Sequence, residues 1–238
     1  EIAQCLVGSE MCIRDSLDGV ISITPSVVQD ILAIVGPVTL SDGTELNGSN
    51  ATRVLQHDIY WKYLAEGANP DGTGGEVTDA LFAQAARETF NKLFSNLNAD
   101  TMIKFASCMA KGMEDRTVMF WLTDQGEQAI LASLDCSGAL NDDPTQPELG
   151  VFYSAWIGSK MGWYVDIDNQ VLESHKNSDG SYTYKMQTAF SDSITFEEIA
   201  AGGGYIVGNN EDEKYEYGVL YPFLFIYAPA GGSISDFE

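Results

Sequence analysis

His57 and Asp58 are adjacent and of the types that suit acid–base work, an imidazole that changes charge near neutrality beside a carboxylate. On a regular helix neighbouring residues point about 100° apart, so the two are expected not to bond directly, and His57 reads as a helix-surface histidine. His175, beside Lys176 and the Asn177 turn, reads as solvated. Two isolated histidines and no Gly-x-Ser-x-Gly elbow give no nucleophilic triad. Oxygen ligands of the kind Ca²⁺ accepts occur in Asp166-Ile167-Asp168 and in Asn209-Asn210-Glu211-Asp212-Glu213. Asp166, Asp168, Glu211 and Asp212 are the metal candidates, although neither run has EF-hand spacing. Asn69, Asp71 and Thr73 form a looser set in a glycine-rich loop, which lacks the Gly-Lys-Ser/Thr ending of a phosphate cradle. No cofactor is predicted beyond a divalent cation.

The segment that positions His57 is a tight turn at Gly36-Pro37, a strand at Val38 to Leu40, a second turn at Asp42-Gly43, and a helix start. Asp-Gly between apolar runs predicts a hairpin with positive φ at both central residues. Asn47-Gly48-Ser49-Asn50 then offers caps for a helix over about 50–64, with Leu55, Ile59 and Tyr63 on one stripe. Before it come a strand at 17–23 and a helix at 26–35 with Pro25 in its first turn.

Later, residues 76–97 carry a continuous apolar face through Phe82, Ala86, Phe90, Leu93, Phe94 and Leu97. A further helix runs from Ala99-Asp100 to about Met113, where Met102, Ile103, Phe105, Ala106 and Met109 read as core filler. A short strand at 117–122 and a helix capped by Asp124 complete the first half. Small and turn-forming residues dominate 137–147, and beyond them the apolar period changes from 3.6 to 2. Strands are predicted at 151–157, 162–172, 182–190 and 215–227, with Asp179-Gly180 as a hairpin turn. The predicted fold is α+β or α/β: an N-terminal α/β domain at 17–136, a linker at 137–148, and an antiparallel, sandwich-like β-rich domain at 149–238.

The first sixteen residues stand apart. Cys5 to Ser16 back-translates onto the adapter of a transposase-made sequencing library, so residues 1–16 are read as non-native. The native product is expected to begin at Leu17 and to lack its upstream part, including any anchor. Removing Glu1, Glu10, Asp15 and Arg14 leaves 32 acidic side chains against 11 basic ones, a formal charge of −21. Such a chain is repelled by phosphate backbones and anionic lipid, so nucleic-acid binding is rejected. Two cysteines remain, Cys108 and Cys136. As an extracytoplasmic disulfide they would close a loop of about 29 residues, worth about 3–4 kcal/mol. The alternative is two buried thiols.

The runs Asp18-Gly19-Val20, Gly36-Pro37-Val38-Thr39-Leu40 and Asp42-Gly43-Thr44 resemble the domain-of-unknown-function family DUF4012. So do Trp121 with Glu127-Gln128-Ala129-Ile130-Leu131, the segment Gly158-Ser159-Lys160-Met161-Gly162-Trp163-Tyr164, and Tyr227-Ala228-Pro229-Ala230-Gly231. The resemblance implies an extracytoplasmic protein of the Gram-positive cell envelope, held by an N-terminal membrane anchor and facing cell-wall or envelope components. It implies no activity. Lys160 is the cation its motif singles out, with a structural ion pair as the plain alternative.

Residues 18–97 also resemble, more remotely, the later half of the LytR–CpsA–Psr catalytic domain. Gly36-Pro37-Val38 and Leu46-Asn47-Gly48-Ser49-Asn50-Ala51-Thr52 follow that family's order. This resemblance implies transfer of glycopolymers from a lipid pyrophosphate onto the cell wall, with arginines holding the pyrophosphate. Where that family has an Arg-x-Arg segment, this chain has His57 to Lys62, and the following arginine helix is reduced to Arg87. Arg53, Lys62 and Arg87 are the cations that would have to converge, with His57, Asp58 and Lys160 as the other candidates. A non-catalytic interaction or scaffolding module is the first expectation, a LytR–CpsA–Psr-like transferase the second, and a Ca²⁺-stiffened adhesion module the third.

Overall fold

The computed structural model describes residues 17–68, 72–208 and 216–237. The segment read as adapter, and Asn69, Asp71, Glu211 and Asp212, lie outside the described residues. The described chain is an α+β protein whose helices accompany small two-stranded sheets. It divides into two units, one of residues 17–55, 80–150 and 227–237, the other of residues 56–68, 72–79, 151–208 and 216–226. The stretch 137–148, expected as a linker, falls inside the first unit. There Glu148 forms an ion pair with Arg116 and accepts the Asn141 N–H at 2.7 Å.

In the first unit, β1 (Gly19–Ile23) pairs antiparallel with β4 (Val118–Leu122), from Gly19 opposite Leu122 to Ile23 opposite Val118. Helix α1 (Pro25–Val35) starts with proline in its first turn, where no N–H is needed, and buries Val27, Val28, Ile31 and Leu32 on one stripe. Its Val27 and Ile31 meet Val118 and, from α4 (Gly74–Ser95), Leu93. Phe90, Phe105, Met109 and Met113 pack around that cluster. Phe90, Phe105 and Met109 belong to their helices' inward faces as expected, but Phe94, Met102 and Ile103 face solvent. Helix α5 (Ala99–Glu114) opens with Asn98 accepting the Thr101 N–H at 3.1 Å, and α6 (Gln125–Ser133) with Asp124 accepting the Glu127 N–H at 2.9 Å.

The expected hairpin is present, with β2 (Val38–Thr39) against β3 (Glu45–Leu46). Its turn differs from the expectation, because only Gly43 has positive φ, at 84°. Asp42 instead accepts the Thr44 N–H at 2.9 Å and its hydroxyl at 2.8 Å, an Asx turn that does not need the left-handed region. Gly48 is required by packing, since a Cβ there would sit 2.5 Å from the Ala33 Cα. Cys108 and Cys136, weighed as a disulfide, are two separate thiols. Cys108 packs against the first unit's core, and burial, with the Asp30 charge second, pushes its thiol up. Cys136 is buried and directs its thiol to the Leu134 carbonyl at 3.2 Å.

The second unit corrects the sandwich expectation. Strands β6 (Val165–Lys176) and β7 (Tyr182–Asp192) form one antiparallel hairpin, turned at Asp179-Gly180 as predicted, and β5 (Gly150–Ala155) pairs with β8 (Pro222–Tyr227) in a separate ladder. Helix α7 (Phe196–Val207), absent from the sequence reading, supplies this unit's core instead of a second sheet. Its Ile206 and Val207 pack with Met161, and Tyr60, Trp61 and Leu64 close around them.

Candidate functional site

The helix expected over 50–64 is not regular. A short α2 (Ala51–Arg53) and α3 (Ile59–Leu64) flank a π-helical turn at Val54–Asp58. Such wider turns shift the angle between successive side chains and recur at functional positions. His57 Nδ1 lies 2.7 Å from Asp58 Oδ1, so the neighbours do bond. The expectation that they would not assumed an α-helical backbone that this turn does not have. The His57 side chain is only 16% exposed, with the rings of Trp163, Tyr164 and Trp61 centred 5.5, 5.7 and 5.8 Å away.

The residue that organises the site is Tyr164, at the end of a 3-10 turn (Met161–Tyr164) whose Met161 is anchored in the core. Tyr164 is itself buried. Its hydroxyl lies 2.9 Å from His57 Nε2, accepts the Trp61 indole N–H at 3.0 Å, and donates to Glu198 Oε1 at 3.2 Å. Burial pushes the phenol up to about 12, against the pull of the Trp61 N–H, and the Glu198 charge adds to the rise. Tyr164 is therefore a neutral phenol near pH 7, committed to internal partners rather than poised as a nucleophile.

Glu198 reaches Tyr164 from the first turn of α7. Thr195 and Glu198 form a reciprocal capping box: the Glu198 N–H bonds Thr195 Oγ1 at 3.2 Å, and Glu198 Oε2 accepts the Thr195 N–H at 2.9 Å and its hydroxyl at 2.8 Å. One carboxylate oxygen holds the helix start and the other meets the tyrosine. The Thr195 N–H and hydroxyl hold this carboxyl below its ordinary 4.5, with Tyr164 and the His57 charge assisting. A depressed carboxylate stabilises the fold above its unfolded value and loses that contribution as pH falls through the folded value. Glu198→Gln is therefore expected to flatten the acid limb of a plot of urea midpoint against pH. A plot matching the wild type at every pH would refute this.

The sequence-derived cations take different places. The Lys160 ammonium lies 4.3 Å from the Tyr60 ring centre and 5.4 Å from that of Tyr205, so ring faces hold it where an ion pair was the plain expectation. The Lys160 N–H bonds the Ile206 carbonyl at 2.9 Å, fixing its turn to the end of α7. Lys62 is exposed, 5.2 Å from the Tyr63 ring centre. Arg53 and Arg87 are exposed and belong to the first unit, whereas Lys62, His57, Asp58 and Lys160 belong to the second. Asp166 and Asp168 are exposed alternate residues of β6. Among the described residues no three His, Cys, Asp or Glu side chains group as metal ligands would. No described helix is long and apolar enough to cross a membrane.

Residues 1–60 match a family model described as a protein of unknown function, DUF4012. That match covers the opening quarter or so of the 238-residue chain. The match takes in Gly36-Pro37-Val38, the Asp42-Gly43 turn, His57 and Asp58. No curated protein and no solved structure matches the chain. Tyr164 and Glu198, which complete the His57 cluster, lie beyond the DUF4012 match. Neither was a candidate in the sequence, although two signals there could have found them. Tyr164 closes the motif that drew attention to Lys160, and Thr195-Phe196-Glu197-Glu198 has the spacing of a capping box.

Proposed function

We propose that this chain is an extracytoplasmic cell-envelope protein that serves interaction or scaffolding rather than catalysis, and that it engages an uncharged cell-wall glycan. The observation carrying this proposal is a group of exposed aromatic side chains on β5, on β8 and at Trp156, the residue after β5. Phe152, Trp156, Phe223 and Phe225 are 47%, 54%, 45% and 47% exposed. The Trp156 and Phe223 rings meet edge to face at 4.3 Å, and the Phe223 and Phe225 centres are 6.2 Å apart. Exposed aromatic groups of this kind are recognition surfaces more often than solvent-facing decoration. The C–H faces of a sugar ring stack on such rings without needing a counter-charge. A formal charge of −23 disfavours anionic partners, and a second copy of the chain as well. The internal commitment of Tyr164 agrees with a non-catalytic role.

Sedimentation with purified cell-wall material tests this. The wild-type protein is expected to pellet with the wall, and Trp156→Ser with Phe225→Ser to lower its affinity roughly tenfold or more. A wild type that stays in solution, or a double variant that pellets equally, would refute the proposal. Tight binding of a polyprenyl pyrophosphate would favour transferase chemistry instead.

A further inference from the structure

We propose that the proton on His57 is a switch that decides whether Tyr164 ties the π-helical turn to α7. Asp58 accepts at Nδ1, the Tyr164 oxygen stands at Nε2, and the single phenolic hydrogen points to Glu198 Oε1. With the Trp61 N–H on one lone pair of the phenol oxygen, the other can accept from Nε2–H. All four contacts are satisfied together only when both imidazole nitrogens carry hydrogen.

Remove one proton and a contact must fail. If Nδ1 keeps its hydrogen for Asp58, Nε2 becomes an acceptor and competes with Glu198 Oε1 for the one phenolic hydrogen. If Nε2 keeps it, Nδ1 presents a lone pair to the Asp58 carboxylate at 2.7 Å, and two acceptors face each other. The charged and titratable groups around this ring are Asp58 from its own turn, Tyr164 from the 3-10 turn and Glu198 from α7. Asp192, at the end of β7, acts on Tyr164. Trp61 and Trp163 supply ring faces. The capping box keeps α7 wound in either state, so the switch acts on the tether between Tyr164 and Glu198 and leaves the helix intact.

The chain has only two histidines, which makes the test clean. In the full protein, the His57 imidazole nitrogens, the Tyr164 Cζ and the Glu198 Cδ are followed by NMR against pH, with His175→Asn assigning the ring. The Tyr164 and Glu198 signals are expected to move with the His57 midpoint, and the Glu198 response to shrink in Tyr164→Phe. A Tyr164 signal that stays flat through the His57 titration, or an undiminished Glu198 response in Tyr164→Phe, overturns the proposal. Tryptophan emission gives a second readout, because an imidazolium quenches indole rings as near as those of Trp61 and Trp163. Intensity is expected to step up as His57 loses its proton, with the step lost in His57→Gln and kept in His175→Asn. A step that survives His57→Gln overturns the proposal as well.

Discussion

Tyr164→Phe is expected to destabilise the second unit by about 2–3 kcal/mol, measured by urea denaturation, although it removes a single oxygen. The ring still fills its buried place. What is lost is the acceptor of the Trp61 N–H and the partner of His57 Nε2 and Glu198 Oε1. His57, Trp61 and Glu198 are all half-buried, so the cost is shared among the three lost contacts, the indole N–H among them. Trp61→Phe in the Tyr164→Phe background is then expected to cost clearly less than Trp61→Phe alone, because the orphaned donor leaves with it. Losses that simply add would show that the two side chains are not coupled.

The other large effect belongs to the first unit. Ile31 is fully buried and packs with Val27, Leu93 and Val118. Ile31→Ala removes three carbons from a site closed by a helix on one side and a strand residue on the other, and is expected to cost about 3–4 kcal/mol. Phe94 is larger but 63% exposed, so Phe94→Ala is expected to stay within about 0.5 kcal/mol of the wild type. Measured by urea denaturation, comparable losses for the two variants would mean that this core is misassigned.

The contrast between Ile31 and Phe94 also marks how far the sequence carries. Local chemistry was legible: proline in the first turn of α1, Asp124 capping α6, Gly43 in its turn, and the Asp179-Gly180 hairpin follow from backbone preferences that act over a few residues. Which residues of the continuous apolar face on α4 point inward was not, because Leu93 and Phe94 differ only in what the rest of the chain brings against them. The sandwich expectation failed where Ala200-Ala201-Gly202-Gly203-Gly204 concealed a helix. Gly203 sits there at φ 65°, in a kink where a Cβ would meet the Glu66 carboxylate at 2.6 Å. The site was half legible. His57 and Asp58 were singled out, but their direct bond depends on a π-helical turn that periodicity does not reveal. Tyr164, 107 positions from His57, enters only through the fold.

The Tyr164 hydroxyl is a buried, shared hydrogen-bonding centre. Burial raises its phenol, so the fold's preference for the neutral form is fully present below the ordinary value of 10 and lost as pH rises through about 12. Carbon NMR of tyrosine Cζ through an alkaline titration measures this directly among the eleven tyrosines of the chain. The predicted result is one tyrosine, missing from Tyr164→Phe, that ionises near 12 rather than 10. A Tyr164 signal that titrates with the solvent-exposed tyrosines would contradict the account.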